Sequence, residues 1–235
     1  MNTACNEWSV LDWLNDARHL INWVEEQNMN TPLILVIRHS HREDSANAEE
    51  LSKKLITDLG HRLAFCFGQK LPSRREVELY YIGLPRCRET AQEICQGYIK
   101  TGGKATLVTG IQINLVPQGS EDKISDEMVK GGSVEFIKRW IDGKISSEII
   151  MPSEEFRKVL LKETLGCTTG VSSNSLHIYV THDLHVMTLR SMLFRTTPST
   201  ENWTPYLGGF GMALKNNEVY GFSVGKEIIL DNVDF

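Results

Sequence analysis

Two short segments of this chain carry the residue types that perform nucleophilic and proton-transfer chemistry. Arg38-His39-Ser40-His41-Arg42 and Thr181-His182-Asp183 lie far apart, and each directly follows an apolar run. Imidazoles act as nucleophiles or proton carriers near neutral pH, and guanidinium forks hold anions through paired hydrogen bonds. A third segment, Gly83-Leu84-Pro85-Arg86, adds another arginine after Glu78-Leu79-Tyr80-Tyr81-Ile82. If the three runs are strands of one open sheet, their tips deliver histidines and arginines to one rim, where such sheets bind ligands.

The flanking sequence supports that placement. Leu33-Ile34-Leu35-Val36-Ile37 is continuously apolar, the pattern of a strand buried on both faces, and it stops abruptly at Arg38. Leu176 to Val180 reads the same way after the loop-like Ser172-Ser173-Asn174-Ser175. A helix is expected from about Arg88 to Ile99, and another from Asn47 to Leu59 that Gly60 interrupts or ends, with His61 to Leu71 as its continuation. Near the start, Trp8, Leu11, Trp13, Leu14, Leu20, Ile21, Trp23 and Val24 recur at helical spacing. Packing on the sheet is the expectation for that stripe, with a homodimer surface as the alternative. Residues 102–170 differ in character: Gly102-Gly103 and Gly131-Gly132 punctuate them, acidic residues gather between Glu121 and Glu127, and helices are expected over Val134–Ile141 and Ser153–Leu165. They read as a cap or insert over the strand tips of a single domain spanning 1–235. Phe210–Leu214, Asn216-Asn217 and Val219–Val224 read as a β-hairpin.

Composition narrows the function classes. At 235 residues the chain can bury a full core without a metal or disulfide staple. A net charge of −5 argues against a nucleic-acid binder, since counterion release needs a broad basic face. Arginines clustered in an acidic chain instead suggest a local anion pocket. Five cysteines, an odd number without a CxxC pair, read as free thiols and favour a reducing, cytoplasmic compartment. The start lacks the pattern of a secretory signal, and no apolar run approaches the roughly 20 residues of a membrane span.

Four motifs in order carry a resemblance. Arg38-His39-Ser40 resembles the Arg-His-Gly motif of the histidine phosphatase superfamily, the group of phosphoglycerate mutases and histidine acid phosphatases. Thr57-Asp58-Leu59-Gly60-His61 with Ala64 is similar to that family's Leu-Thr-x-x-Gly-x-x-x-Ala helix. Arg86-Cys87-Arg88-Glu89-Thr90-Ala91 matches Arg-Cys-x-x-Thr-Ala, and Val180-Thr181-His182-Asp183 resembles the strand of the second histidine. The resemblance covers residues 33 to 190. It implies an α/β/α sandwich with a mostly parallel central sheet and a small cap, no cofactor, and a small phosphorylated substrate or inorganic phosphate as the ligand.

The chemistry fits the residues. A phosphoryl group in flight spreads negative charge over three oxygens and asks for fixed cationic donors and one in-line nucleophile. Neutral His39 would attack phosphorus to give a phosphohistidine that water later hydrolyses. Arg38, Arg86 and His182, with Arg42, would hold the non-bridging oxygens, and Asp183 would protonate the leaving alkoxide and then receive a proton from water. Glu43, Asp44 and Glu121 are rival donors. Arg42 stands at the acid phosphatase spacing, with a solvated loop arginine as the alternative. Arg88 reads as a surface residue, His41 and His185 as supporting residues, and His61 and His177 have no partner at useful spacing.

Two positions depart from the family pattern: Ser40 stands for its usual glycine, and Ile82 for its usual serine four residues before the arginine. Ser40 either shifts the loop or offers substrate a hydroxyl. Competing readings are a mutase, a phospho-ligand-binding protein without turnover, and a metal hydrolase using the His-x-His and His-Asp-x-His spacings. Arg38 and Arg42 flank the first histidine pair and would repel a cation, so no metal is expected. A tyrosine-phosphatase chemistry fails, because no cysteine is followed by five residues and then arginine.

Overall fold

The computed structural model describes residues 6–44, 50, 53–108, 113–166, 174–216, 218–231 and 233, with the side chain of Glu121 also outside the described set. A short helix α1 (Asn6–Val10) and a 3-10 turn (Asp12–Leu14) lead into α2 (Asn15–Glu26) and the central strand β1 (Leu33–Arg38). Then come α3 (Asp58–Lys70), β2 (Glu76–Tyr81), α4 (Pro85–Lys100) and β3 (Lys104–Leu107). Helices α5 (Glu121–Val129), α6 (Gly132–Ile141) and α7 (Ser153–Gly166) precede β4 (Ser175–Thr181) and α8 (Asp183–Phe194). Strands β5 (Gly209–Lys215), β6 (Glu218–Ser223) and β7 (Lys226–Ile229) follow.

The seven strands form one sheet in the order β3-β2-β4-β1-β5-β6-β7. Every residue of β1 is buried, as its unbroken apolar run requires. Leu33, Leu35 and Ile37 face a core built with Leu20, Trp23, Phe67 and Ile94 from α2, α3 and α4. Ile34 and Val36 face the opposite core, with Phe136, Trp140, Phe156 and Leu189 from α6, α7 and α8. Helices therefore cover both faces of the sheet.

The mostly parallel sheet expected from the resemblance is not what forms. Strands β3, β2, β4 and β1 are parallel, but β5, β6 and β7 pair antiparallel, so the sheet is mixed. The cause lies after α8: residues 195–208 climb back to the rim, and β5 enters the sheet beside the tip of β1, with Gly209 opposite Ile37. The tight links that follow can only make antiparallel pairs. Asn216 (φ +54°) turns the expected hairpin, and Val224-Gly225 (φ +49° and +74°) adds a third strand, β7, that the pattern did not suggest.

Other boundaries shift as well. Residues 54–57 are not helical, and much of the expected Asn47–Leu59 helix lies outside the described residues. Gly60 stops no helix: it sits in the first turn of α3, whose N-cap Thr57 accepts from Gly60 N–H at 3.1 Å. A Cβ at Gly60 would lie 2.3 Å from the carbonyl oxygen of His41, so the glycine permits close approach to the first motif's loop. The acidic stretch from Glu121 is itself a helix, α5. Trp8 and Trp23 are core residues rather than a dimer surface. Cys66 is disulfide-bonded, whereas Cys87 and Cys95 are free and buried. An odd count without a CxxC spacing therefore did not mean five free thiols, and the thiol argument for a reducing compartment lapses.

Candidate active site

Register brings the two histidine segments together. β1 and β4 are parallel neighbours with Arg38 opposite Thr181, so His39 and His182 leave adjacent strands at the same level. Tyr81 pairs with Val180, which puts Ile82 to Arg86 at that level too. From here α3 packs on one face and α8 on the other. The two strand ends thus diverge to opposite sides and open a crevice between them.

His39 is 1% exposed, and its Nδ1 lies 2.7 Å from its neighbour's carbonyl, Ser40 O. A carbonyl can only accept, so Nδ1 carries the proton and Nε2 keeps its lone pair. Desolvation, aided by the charges of Arg38 and Arg86, pushes the imidazole down to about 3 against the Ser40 bond and Asp183, which pull the other way. His39 is therefore a neutral ring with one nucleophilic nitrogen.

The loop after His39 is fixed by α3 and α4. Thr90 Oγ1 donates to Arg86 O one turn back (2.8 Å) and accepts from Ser40 N–H (2.9 Å). The four-residue step from Arg86 to Thr90 thus ties the arginine's helix to the His39 loop. Cys87 between them is fully buried, and desolvation pushes its thiol up to about 12, which leaves it a packing residue. Ser40 Oγ is also fully buried and donates to Gly60 O at 2.7 Å. It faces α3, so the contact to substrate expected of Ser40 would require that bond to break. Replacing Ser40 with alanine strands a buried carbonyl. Ser40→Ala should lower stability by about 1–3 kcal/mol in denaturant titration while inorganic phosphate still binds; lost binding with unchanged stability would contradict this placement.

Arg38 is held from three directions. It pairs with Asp183 Oδ2 at 3.0 Å, donates to Thr204 O at 2.9 Å, and lies 4.1 Å above the Tyr206 ring. Tyr206 OH donates to Arg42 O (3.2 Å), and Trp203 Nε1–H reaches Asp183 Oδ2 (3.3 Å). Burial alone would raise the Asp183 carboxyl, but Arg38, helped by Trp203 and the Leu184 amide, holds it below the ordinary aspartate value. The free protein therefore keeps Asp183 ionised. Arg42, buried, turns Nη1 to Asp44 Oδ1 at 3.0 Å, and Arg86 is buried at the start of α4.

His182 lies 4.0 Å from Asp183 Oδ1 and 3.8 Å, ring to ring, from His185. Desolvation, then Arg86, His39 and Arg38, lowers its imidazole to about 3. Two openings flank this point. A cleft of about 650 Å³ is lined by Arg38, Arg42, Asp44, Asp183, Trp203 and Tyr206. An alcove of about 420 Å³ lies at His182 and His185, under Ile82, Leu84 and Leu115.

The structure thus gathers Arg38, His39, Arg86, His182 and Asp183, with Arg42 at the cleft wall. Arg88 is exposed, as expected. His41 turns its Nδ1 to Thr57 Oγ1 at 2.8 Å. His61 and His177, expected to lack partners, face Glu93 and Glu78 across neighbouring elements at 2.9 and 3.3 Å. Among the rival donors, Asp44 is engaged by Arg42, Glu43 is exposed, and the Glu121 side chain lies outside the described residues. Trp203, Thr204 and Tyr206 escaped sequence reading, since nothing local links them to β1. Among the described residues, no three His, Cys, Asp or Glu side chains are arranged to hold a metal ion.

No family model matches the chain, and no curated protein matches it. Solved structures do. A phosphoglycerate mutase from Bacillus anthracis str. Sterne is 13% identical, with 88% of this chain and 96% of that chain covered and a TM-score of 0.45. A phosphoserine phosphatase from Entamoeba histolytica in complex with phosphoserine is 14% identical over 86% and 98%, also at 0.45. A phytase from Klebsiella sp. ASR1 is 12% identical over 85% and 81%, again at 0.45.

Proposed function

We propose that the chain is a metal-independent phosphomonoesterase of the histidine phosphatase type that works through a phosphohistidine on His39. The observation that carries this reading is the Nδ1 to Ser40 O bond, which leaves Nε2 unprotonated among Arg38, Arg86 and His182. The non-bridging oxygens of a phosphomonoester sit on those two arginines and on His182. The Nε2 lone pair of His39 attacks phosphorus, the P–O ester bond breaks, and the departing oxygen takes the proton of Asp183 in its acid form. Water then gives a proton to the Asp183 carboxylate and attacks the phosphoryl group, which releases phosphate and restores the imidazole. Arg38 holds the carboxylate ionised in the free protein; a phosphate dianion drawing on Arg38 loosens that hold and lets Asp183 take its proton.

Residues 102–170 are the proposed cap or insert of a single domain, and residues 113–116 and 131–134 among them edge the two openings. Helices α6 and α7 behind them belong to the core through Phe136, Trp140 and Phe156. A mutase needs further cations over the pocket; of the basic residues of the proposed cap, Lys130 and Arg139 both pair with Glu127. No helix among the described residues is long and apolar enough to cross a membrane.

Steady-state hydrolysis of p-nitrophenyl phosphate from pH 4 to 8, with and without EDTA, tests the reading. Turnover that resists EDTA is expected. Turnover abolished by EDTA and restored by a divalent cation would move the assignment to a metal hydrolase, and phosphate binding without turnover to a phospho-ligand-binding protein.

A further inference from the structure

Resting on the phosphomonoesterase reading, we infer that the ester alcohol of the substrate is apolar and uncharged, and that the alcove beside His182 is its subsite. The two openings at the rim differ in chemistry. The larger has Arg38, Arg42, Asp44 and Asp183 in its walls. Among the described residues the alcove has no charged side chain: Ile82, Leu84, Ile113, Leu115 and Val116 form most of its walls, Asn114 adds a neutral amide, and His182 and His185 stand at its end. Both rings are neutral, since desolvation first of all holds His185 well below the ordinary histidine value and His182 at about 3. Ile82 adds a branched aliphatic group to the wall where the family resemblance would have put a hydroxyl. A volume of about 420 Å³ falls in the range of small-molecule sites and suits a ring or short alkyl chain.

Because His182 sits both at the alcove's inner end and within the electrostatic reach of His39, Arg38 and Arg86, a phosphoryl group gripped there has the alcove beside it. An apolar alcohol gains by leaving water for these walls. A carboxylate or ammonium would lose hydration against them with no charge to answer it.

A homologous series of n-alkyl phosphates from methyl to hexyl tests this, because leaving-group basicity stays nearly constant while buried apolar surface grows. The expected result is a rise in kcat/KM of about fourfold per methylene until the alcove is full, with 3-phosphoglycerate and phosphoserine below butyl phosphate. In Leu115→Asp the rise per methylene should flatten or invert. That slope is read within each protein, so a change in absolute rate does not confuse it, and Val116→Ser serves if the aspartate variant does not fold. Alkyl phosphates hydrolysed without dependence on chain length, or slower than the anionic monoesters, would overturn the subsite and leave the phosphomonoesterase standing. Failure to hydrolyse any monoester would overturn the phosphomonoesterase reading itself, and the subsite with it.

Discussion

His39→Ala should lose phosphomonoester hydrolysis by on the order of 10⁵-fold in kcat, the scale seen when a covalent nucleophile is removed. The size of the effect follows from the two-step path. Without Nε2 there is no phosphoenzyme, and what remains is whatever Arg38, Arg86 and His182 give to direct attack by water. Phosphate affinity should fall far less, because those donors are held independently: Arg38 by Asp183, Thr204 and Tyr206, and Arg86 by its place at the start of α4, one turn before Thr90. Phosphate binding measured by calorimetry beside turnover separates the two. A variant that keeps a tenth of the activity would remove His39 from the nucleophile's role.

Asp183→Ala carries the second large effect, and its size depends on the leaving group. An alkoxide is a poor leaving group and needs a proton as the ester bond breaks; p-nitrophenolate is a good one and needs little help. The variant should lose about 10³-fold on butyl phosphate, within the usual range of general acid catalysis, and less than about tenfold on p-nitrophenyl phosphate. The pH dependence has a definite sign. Because Asp183 is held below the ordinary aspartate value, its acid form gains as pH falls. His39, at about 3, stays neutral and nucleophilic through the same range. Alkyl phosphate hydrolysis by the wild type should therefore rise from pH 7 towards pH 4, and the variant's profile should be flatter. Equal losses on both substrates would assign Asp183 to holding Arg38 rather than to proton transfer.

Much of this geometry is legible along the chain, for a physical reason. A strand buried on both faces is mostly apolar, so β1 and β4 show in the sequence as apolar-rich runs that give way to Arg38-His39 and Thr181-His182 at their tips. The Arg86 to Thr90 spacing is likewise local, one helical turn. The other half of the site depends on pairing between distant strands. Trp203, Thr204 and Tyr206 reach Arg38 and Asp183 only because β5 enters the sheet antiparallel beside β1, and no short pattern distinguishes that entry from a parallel one. Ser40 shows a different limit: the sequence marks its position, but only the path of α3 turns its hydroxyl towards Gly60. Residues 102–170 read as a cap or insert in sequence, and Phe136, Trp140 and Phe156 among them also build the second core. Amphipathic helices over a sheet face and over a pocket carry the same periodicity.

The covalent step is the central claim, and rapid quench into alkali during turnover of an alkyl phosphate addresses it most directly, because phosphohistidine survives base. Peptide mapping of the quenched protein should place one phosphoryl group on Nε2 of His39, absent from His39→Ala. Full turnover with no phosphohistidine at any quench time, or a phosphoryl group found on another residue, would contradict the account.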